Sequence, residues 1–382
     1  MLSGRERLLL FLPGKRLYMR ILMLGSKEYP FGVSARHDPK AGGGIELHVE
    51  KLSKYLARRG HRVIVITRRF PGQPAEEDAG GVRVIRTRHM RNRYLRAFSF
   101  NLLGFLKAVS LARRERIDII HAHAVTAGFF GCMLSKLTGK PMAFTPHGMI
   151  VDWGFPVREI LRGFQKAALR GAAMTIFISR PARDALSGMT RRHALLSNAI
   201  DVEDYGSGAE RSGELRFLFM GRLEKVKGVD TLIRAFTIMA KRCPKARLVI
   251  AGKGTMKQEV TDMVLKTGSE KASFVGWADP REALRNSDVF VLPSAEKGQP
   301  VALLEAMAAG KVIITSLPTI KHGRTGLRCR PGDPEGLARV MLDVCRGFRR
   351  YRVMGRRARE EVRPMTWESA AESFEKEYLK VT

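Results

Sequence analysis

Residues 217–228 read FLFMGRLEKVKG. The apolar run that ends at Met220 predicts a buried strand, and the glycine after it allows a sharp turn. Arg222 and Lys227 then lie five positions apart on a loop that leads through Gly228 into a predicted helix. A guanidinium, an ammonium and the free N–H groups of a helix N-terminus together suit a diphosphate. An isolated Arg-x4-Lys pair is more often a solvated basic turn, so the rest of the chain has to distinguish the two interpretations.

Composition limits the choice of partner. The chain has 382 residues, 45% of them hydrophobic, which is enough for two or three domains with substantial cores. Its 68 Lys+Arg residues outnumber 37 Asp+Glu residues and give a net charge of +31. Such an excess attracts phosphorylated substrates, an anionic membrane face or nucleic acid. Nucleic acid is disfavoured, because no nucleic-acid-binding module is recognisable and only 8% of the residues are aromatic.

The four cysteines are scattered and include no CxxC pair. This pattern predicts free thiols in a reducing cytosol, with neither a disulfide framework nor a zinc site. The sequence also lacks an uninterrupted apolar stretch of the roughly 18 residues that a membrane span requires. We therefore expect a chain that touches a membrane at its surface and does not cross it.

The first 18 residues differ from the pattern that follows. A short apolar run at 8–12 is flanked by basic residues, but no small-residue cleavage site follows it, so a secretory signal is disfavoured. Met19 opens a strand-like segment and is predicted to be the true first residue. On this interpretation, residues 1–18 are an incorrectly assigned N-terminal extension. The alternative for 1–18 is a basic, apolar extension that contacts a membrane.

Short apolar runs then alternate with helical patterns along the chain. This alternation predicts an α/β fold of two doubly wound parallel sheets, with functional sites at the carboxyl ends of the strands. A polar, glycine-rich stretch at 199–213 predicts a linker between a first domain at 19–198 and a second at 214–365. A final helix is predicted at 366–382. Two domains that face each other across a cleft would hold a ligand between them.

Histidines follow two predicted strands of the first domain. His121 and His123 end one strand, and His147 ends the next. A strand-end histidine in a cleft can act on a ligand, although a lone one is more often a satisfied structural residue. We expect His123 to face the cleft, and His121 to point to the opposite face of the strand and pack in the interior.

A glycine-rich turn opens the first long helix. Gly43 and Gly44 permit close approach of the backbone to a sugar or a diphosphate, and Glu46 follows in the first turn. Three glycines before a helix are also an ordinary helix start, so this motif is weak by itself.

In this order and spacing, the motifs resemble those of glycosyltransferase family 4 over about residues 19–380. The matching segments are GGIE at 43–46, RRGHRV at 58–63, HAH at 121–123, TPHG at 145–148, GRLEKVKG at 221–228, IAGKG at 250–254, FVG at 274–276, DVFVLPS at 288–294, LEAMA at 304–308, TG at 325–326 and PGDP at 331–334. The resemblance implies the GT-B architecture, two Rossmann-like domains facing across a cleft, with the C-terminal helix crossing back to the first domain. It also implies retaining transfer of a sugar from a UDP-, GDP- or ADP-linked donor, with no cofactor and no metal.

The resemblance assigns roles to individual residues. Arg222 and Lys227 match the cations on the leaving diphosphate, and His123 matches the histidine near the transferring sugar; these three are the predicted catalytic residues. Glu305 matches the carboxylate that accepts hydrogen bonds from the ribose hydroxyl groups. A helix-dipole-favoured acid of the first turn is the structural alternative for Glu305.

The remaining assignments concern the edges of the site. His147 and Glu46 are predicted on the acceptor side. The predicted donor-binding set is completed by Gly43, Gly44, Gly252, Val275 and Glu296. Backbone groups near Gly252 and Val275 are expected to bind the base of the donor nucleotide.

The sequence departs from the family pattern in three places, and the first is Ala199, which replaces the glycine usual after Asn198. Lys297 stands where the first of two glutamates, eight residues before Glu305, is usual, and Glu296 would replace that glutamate only by a one-residue shift. Residues 312–326 are about five residues shorter than the family's phosphate loop. The alternative to an active enzyme is therefore a catalytically impaired paralogue that binds an anionic surface or a membrane.

The predicted acceptor is a glycan or a lipid-linked sugar used in cell-envelope polysaccharide or glycolipid synthesis. Two basic segments, 91–114 and 349–359, predict docking on an anionic membrane surface, with a solvated basic surface as the structural alternative. The predicted location is the cytoplasm, peripheral to the inner face of the cell membrane.

Overall fold

The computed structural model describes residues 18–32, 43–90, 96–147, 156–206, 213–268, 270–296 and 300–382. The predictions for residues 1–17 and for Lys297 lie outside these ranges. Within them the chain forms two α/β units, each built on its own sheet. The prediction of two Rossmann-like domains is confirmed.

The first sheet has the strand order β3-β4-β2-β1-β5-β6-β7-β8. Its strands are β1 (Arg20–Leu24), β2 (Arg62–Arg68), β3 (Glu76–Asp78), β4 (Val82–Thr87), β5 (Ile119–His123), β6 (Met142–Thr145), β7 (Met174–Phe177) and β8 (His193–Leu195). All neighbouring pairs are parallel except β3 with β4 at the edge. Because β1 pairs with both β2 and β5, the winding direction reverses there, which is where open α/β sheets bind ligands.

Helices cover both faces of this sheet. They are α1 (Gly44–Arg58), α2 (Arg96–Arg114), α3 (Val125–Thr138), α4 (Val157–Gly171) and α5 (Arg180–Leu186). On one face, the stripe Val49, Leu52 and Leu56 of α1 is fully buried. On the other face, α2 to α5 bury a second cluster.

The second sheet is parallel throughout, in the order β11-β10-β9-β12-β13-β14. Its strands are β9 (Leu215–Met220), β10 (Ala246–Ala251), β11 (Ala272–Gly276), β12 (Val289–Leu292), β13 (Val312–Thr315) and β14 (Leu327–Arg328). The helices around it are α6 (Val229–Ala240), α7 (Lys257–Thr267), α8 (Pro280–Arg285), α9 (Val301–Ala308) and α10 (Pro334–Val362). The segment after β13 is packed rather than open, since Leu317 and Ile320 are buried in the core of this domain.

The last helix, α11 (Trp367–Leu379), leaves the second domain and packs on the first. Thr366 caps its N-terminus by accepting a hydrogen bond from the Ser369 N–H group. Phe374 and Tyr378 are fully buried among residues of β1, β2 and α1. The prediction that the C-terminal helix crosses back is confirmed.

The stretch between the two domains is anchored to both of them. Asp201 accepts hydrogen bonds from Lys51 at 2.6 Å and from Tyr55 at 3.1 Å, both on α1. Asp204 accepts one from Arg281 of α8 at 2.7 Å. The described part of the predicted linker, residues 199–206, is therefore an ordered connection.

Cys243, just after α6, and Cys345 of α10 form a disulfide, with Cα atoms 6.8 Å apart. The prediction of free thiols is wrong for this pair and holds for Cys132 and Cys329. The two residues are 102 positions apart in the sequence, and only the packing of α10 against α6 brings them together.

In the described part of the chain, no helix combines the length and the apolar character needed to cross a bilayer.

Replacing Phe374 with alanine tests the attachment of α11. The fully buried ring fills space between α11 and the first domain, so its removal should lower the free energy of unfolding by about 3–5 kcal/mol. The exposed Lys376, two residues along the same helix, provides the matched control, and its alanine variant should change stability by at most about 0.5 kcal/mol. Urea denaturation measures both, and equal midpoints for the two variants would contradict the packing described here.

Candidate active site

The loop after β9 carries the two predicted clamp cations. A short 3₁₀ helix at Lys225–Lys227 ends at Gly228, whose φ of 71° lies in the left-handed region. A Cβ atom at Gly228 would lie 2.4 Å from the carbonyl oxygen of Pro293, so only glycine fits. This close approach holds the loop of Lys227 against the segment that follows β12.

Arg222 and Lys227 converge on carboxylates. Glu296 forms ion pairs with Lys227 and, at 3.5 Å, with Arg222. Glu224 accepts a hydrogen bond from Arg222 at 2.6 Å. Lys227 is buried, with 9% of its surface exposed, whereas the Arg222 side chain is 55% exposed. The two cations are thus held close enough to share one anion.

Two neighbouring strands bring the other predicted donor groups to the same edge of the sheet. Gly252 follows β10, with a φ of 156°, and a Cβ atom there would lie 1.9 Å from the carbonyl oxygen of Gly221. Val275 lies in β11 and is half-exposed beside the exposed Trp277. The edge therefore combines tightly packed backbone with an accessible apolar surface.

Glu305 lies on α9, in the second turn rather than the first, and is buried. The phenol of Tyr205, from the connection between the domains, donates a hydrogen bond to Glu305 Oε1 at 2.9 Å. Burial raises the pKa of Glu305 to about 7. This carboxyl group therefore changes its charge near neutral pH.

A cluster of histidines, in which His48 and His123 are buried and His147 is half-buried, lies at the ends of β5 and β6. His123 Nδ1 and His147 Nε2 are 2.9 Å apart. His48 of α1 lies beside both, with ring centroids 5.7 Å from His123 and 4.9 Å from His147. Within the described part of the chain, neither ring nitrogen of His48 has a hydrogen-bond partner, and His123 Nε2 also lacks one. A buried polar atom without a partner is costly, so these nitrogens are candidates to bind a polar ligand.

His121 contradicts the sequence prediction in one respect. It is buried and satisfied, as expected, by Thr145 at 3.0 Å and by the Tyr378 hydroxyl at 2.7 Å. However, its ring lies 3.9 Å from that of His123, on the same face of β5. The prediction of opposite faces is wrong, because residues two apart on a strand point the same way.

Backbone strain is concentrated at this cluster. Among the described residues, Ala124 and His147 are the non-glycine residues with positive φ, at 67° and 58°. Ala124 directly follows His123 at the end of β5, and His147, two residues after β6, is itself a member of the cluster. Such conformations cost about 1–3 kcal/mol each and persist where the surroundings over-determine them, which is typical of functional sites.

Burial controls the charge of the cluster. It lowers the pKa of His48 to about 4 and holds the pKa values of His121, His123 and His147 well below the usual range. The neighbouring imidazoles act in the same direction on the last three. All four rings are therefore neutral at pH 7 and can accept as well as donate hydrogen bonds.

The nitrogens of His48, His123 and His147 lie within 4.8 Å of one another. Three imidazoles are a donor set for zinc or copper, and equally for the hydroxyl groups of a sugar.

The start of α1 faces the second domain. Gly43 is its N-cap, in extended conformation, and offers no side chain to the free N–H groups. A Cβ atom at Gly44 would lie 3.5 Å from Val301 at the start of α9. Glu46 is buried, 4.0 Å from Lys27, and its Oε1 has no hydrogen-bond partner in the ranges that the structure describes. This turn therefore meets the helix that carries Glu305.

Several residues of the site were not found from the sequence. His48 lies one turn after Ile45, among the buried residues of α1. A polar side chain at an otherwise apolar position of the helical pattern could have identified it from the sequence. Tyr205 had no local signal. Trp367 and Phe374 of α11 close the cluster, with ring centroids 5.3 Å and 5.6 Å from His48.

Two α/β domains in contact, one carrying paired cations and the other neutral histidines at their strand ends, define a GT-B protein. Two family models match the chain: "Glycosyltransferase Family 4" over residues 42–204 and "Glycosyl transferases group 1" over residues 214–346. The chain therefore belongs to glycosyltransferase family 4.

Individual relatives agree with this assignment. The chain is 29% identical to a glycogen synthase of Mycobacterium tuberculosis, over 94% of each protein. It is 27% identical to a mannosylfructose-phosphate synthase of Agrobacterium fabrum, over 94% of this chain and 90% of that protein.

Solved structures share the fold. A sucrose-phosphate synthase from Thermosynechococcus elongatus matches with a TM-score of 0.80 and 20% identity, over 95% of this chain and 98% of that one. HepE from Anabaena, solved in complex with UDP and glucose, matches with a TM-score of 0.73 and 18% identity, over 95% and 100%.

The histidine cluster predicts a specific dependence of stability on pH. The pKa of His48 is about 4 in the folded chain, against about 6.5 when unfolded, so the unfolded state binds more protons between these values. Stability should be complete above about pH 6.5 and fall towards pH 4. His48→Phe should reduce the slope by about 1.4 kcal/mol per pH unit. Urea midpoints across this range measure it, and an unchanged slope would count against a buried neutral His48.

Proposed function

We propose that the protein is a retaining glycosyltransferase that moves a sugar from a nucleotide-diphosphate sugar to a glycan or a lipid-linked acceptor. The observation that carries the proposal is the contact of one carboxylate, Glu296, with both Arg222 and Lys227. An anionic group already lies where a diphosphate would be bound, and phosphate oxygens match the same two cations.

The cations stabilise the leaving group. As the bond between the anomeric carbon and the phosphate oxygen breaks, its electron pair passes to the diphosphate. Arg222 and Lys227 meet that charge with hydrogen bonds of about 1.5–3 kcal/mol each, and their attraction grows as the charge develops. The acceptor hydroxyl forms its bond to the anomeric carbon on the face from which the phosphate departs, and it passes its proton to that phosphate. Because the new bond replaces the old one on the same face, the configuration at the anomeric carbon is retained.

The other residues bind and orient the donor. Glu305 accepts hydrogen bonds from the ribose hydroxyl groups, while Gly252 and Val275 present backbone groups to the base. His123 and His48 receive hydroxyl groups of the sugar with nitrogens that have no partner among the described residues. A metal ion is not needed for the leaving group in this scheme, because fixed side-chain cations carry out that task.

The donor nucleotide is proposed to be UDP, GDP or ADP. HepE was solved with UDP and with UDP-glucose, which supports a nucleotide sugar as the ligand class. The names of the curated relatives, glycogen synthase and mannosylfructose-phosphate synthase, support a sugar or a glycan as acceptor. The net charge of +31 supports association of the enzyme with an anionic membrane surface inside the cell.

Replacing Arg222 with alanine tests the leaving-group role. Because this side chain is 55% exposed, the fold should persist, while turnover should fall by about 10²–10³. The donor is first chosen by thermal shift with UDP-, GDP- and ADP-sugars, and product formation is then measured. The exposed Arg242 of the same domain is the matched control, and its alanine variant should retain full activity. Equal turnover in both variants would remove Arg222 from the mechanism.

Glu305 predicts a pH dependence of nucleotide binding. Its pKa is raised to about 7, so the carboxyl group is ionised above that value and protonated below it. Only the ionised carboxylate can accept hydrogen bonds from both hydroxyl groups of the ribose. The affinity for the nucleoside diphosphate should therefore fall below about pH 7, by up to about tenfold per pH unit. Glu305→Gln should bind weakly at every pH. Calorimetry of the nucleoside diphosphate measures both, and a variant that keeps the wild-type profile would assign the dependence elsewhere.

A further inference from the structure

Three neighbouring helices of the first domain carry an unusual outer surface. α2, α3 and α4 lie side by side, with α3 in the middle. Phe98 and Phe105 of α2 contact Phe130 of α3, with ring centroids 5.7 Å and 5.9 Å apart. Phe129 of α3 stacks on Phe164 of α4 at 4.1 Å. The three helices therefore present one continuous layer.

This layer exposes large apolar side chains. Of the fourteen exposed large hydrophobic residues in the described part of the chain, eight lie on these helices. They are Phe98, Leu102, Leu103 and Leu106 on α2, Met133 and Leu137 on α3, and Val157 and Ile160 on α4. The most exposed are Leu137 at 57%, Leu106 at 55% and Ile160 at 53%. Scattered apolar residues are normal on a surface, but a concentration on one face marks an interaction site.

The charge of the same layer identifies the partner. α2 contains four basic residues, α3 one and α4 four, against a single acidic residue, Glu159. Lys107, Lys136 and Lys166 are exposed next to the apolar side chains. Apolar side chains that enter the acyl boundary, flanked by cations at the headgroups, fit an anionic bilayer surface. A protein partner would need an acidic rim around an apolar centre, and this is a more specific requirement than the apolar interior and charged headgroups that any anionic bilayer provides.

The other basic segment lacks this combination. α10 carries a run of arginines between 349 and 359, but none of the exposed large apolar side chains lies on it. Arg359 is half-buried and donates hydrogen bonds to the carbonyl oxygens of Tyr205 and Ala308. The predicted role of this segment in membrane docking is therefore not supported, and at least one of its arginines is structural.

The position of the layer connects it to the site. α3 begins two residues after His123, and in a parallel sheet the helix N-termini lie at the carboxyl edge of the strands. α4 is the next helix after His147. The amino-terminal ends of these two helices thus lie on the side of the domain where the histidine cluster is.

We propose that the outer face of α2, α3 and α4 docks on an anionic lipid bilayer and delivers a lipid-linked acceptor to the histidine side of the cleft. The acceptor part of this inference rests on the proposed function; the docking surface does not. The occupant is the bilayer itself, whose headgroups meet the lysines and arginines while the exposed leucines and Ile160 enter the acyl boundary.

Vesicle co-sedimentation of the full chain tests the surface. Wild type should bind vesicles with about 30% phosphatidylglycerol in phosphatidylcholine and should bind pure phosphatidylcholine at least about tenfold more weakly. The double variant Leu106→Asp, Ile160→Asp should lose about tenfold or more of the binding to the anionic vesicles. Lys136→Glu with Lys166→Glu should lose about fivefold for each position, the equivalent of about 1 kcal/mol per cation.

Matched controls are available on the second domain. Ile238 of α6 and Leu265 of α7 are exposed at 43% and 65%, and their aspartate variants should leave vesicle binding unchanged. Equal loss in the control and test variants, or equal binding to neutral and anionic vesicles, would overturn the proposal. A change from dimer to monomer in light scattering for Leu106→Asp, Ile160→Asp, with vesicle binding intact, would assign the face to a second copy and also overturn it.

Thermal stabilisation by the nucleoside diphosphates UDP, GDP and ADP separates this inference from the proposed function. Nucleotide stabilisation without binding of the anionic vesicles would refute the docking surface and leave the enzyme assignment in place. Vesicle binding without stabilisation by any of the three nucleotides would support the surface and refute the enzyme assignment. The variants on α2 and α4 should keep the nucleotide response of wild type, because they lie on the opposite domain from Arg222 and Lys227.

Discussion

Two cations held side by side repel each other unless an anion lies between them, and this constraint sets the arrangement of the loop after β9 in the second domain. Arg222 and Lys227 would repel each other on a loop without compensation. Glu296 and Glu224 supply that compensation. Gly228 makes the arrangement possible by allowing the loop to press against Pro293, since any larger residue would clash with that carbonyl group. Phosphate oxygens match the same two cations, so the loop is suited to a diphosphate that replaces the carboxylate of Glu296.

In the first domain, by contrast, the clustered histidine side chains are uncharged at pH 7. Burial keeps His48, His123 and His147 neutral, with lowered pKa values. The aromatic side chains of α11 complete that burial, and α11 comes from the end of the chain after the second domain. The C-terminal crossing therefore contributes to the chemistry of the first domain as well as to its stability. An enclosed set of neutral imidazoles suits hydroxyl groups, whereas the exposed Arg222 suits phosphate.

The connection between the domains links these two environments. Lys51 and Tyr55 of α1 hold Asp201, and Tyr205 four residues later donates to Glu305. The charge state of Glu305 is thus coupled by one phenol hydroxyl to the segment that positions the domains. The hydrogen bond from Tyr205 lowers the pKa of Glu305, but burial is the larger effect and raises that pKa to about 7.

The sequence by itself determined the two parallel sheets, the strand-end positions of the cations and histidines, and the existence of the last helix; the return of that helix to the first domain was implied by the family resemblance. These features follow from local apolar periodicity, glycines and capping residues, which neighbouring positions encode. It missed the short strands β3, β8 and β14, since two or three residues carry no period. Only the tertiary structure decided the partners: Glu296 with Lys227, Tyr205 with Glu305, His48 with His123, and Cys243 with Cys345. Each of these pairs joins residues 69 or more positions apart, and a contact at that separation exists only once the intervening elements have packed.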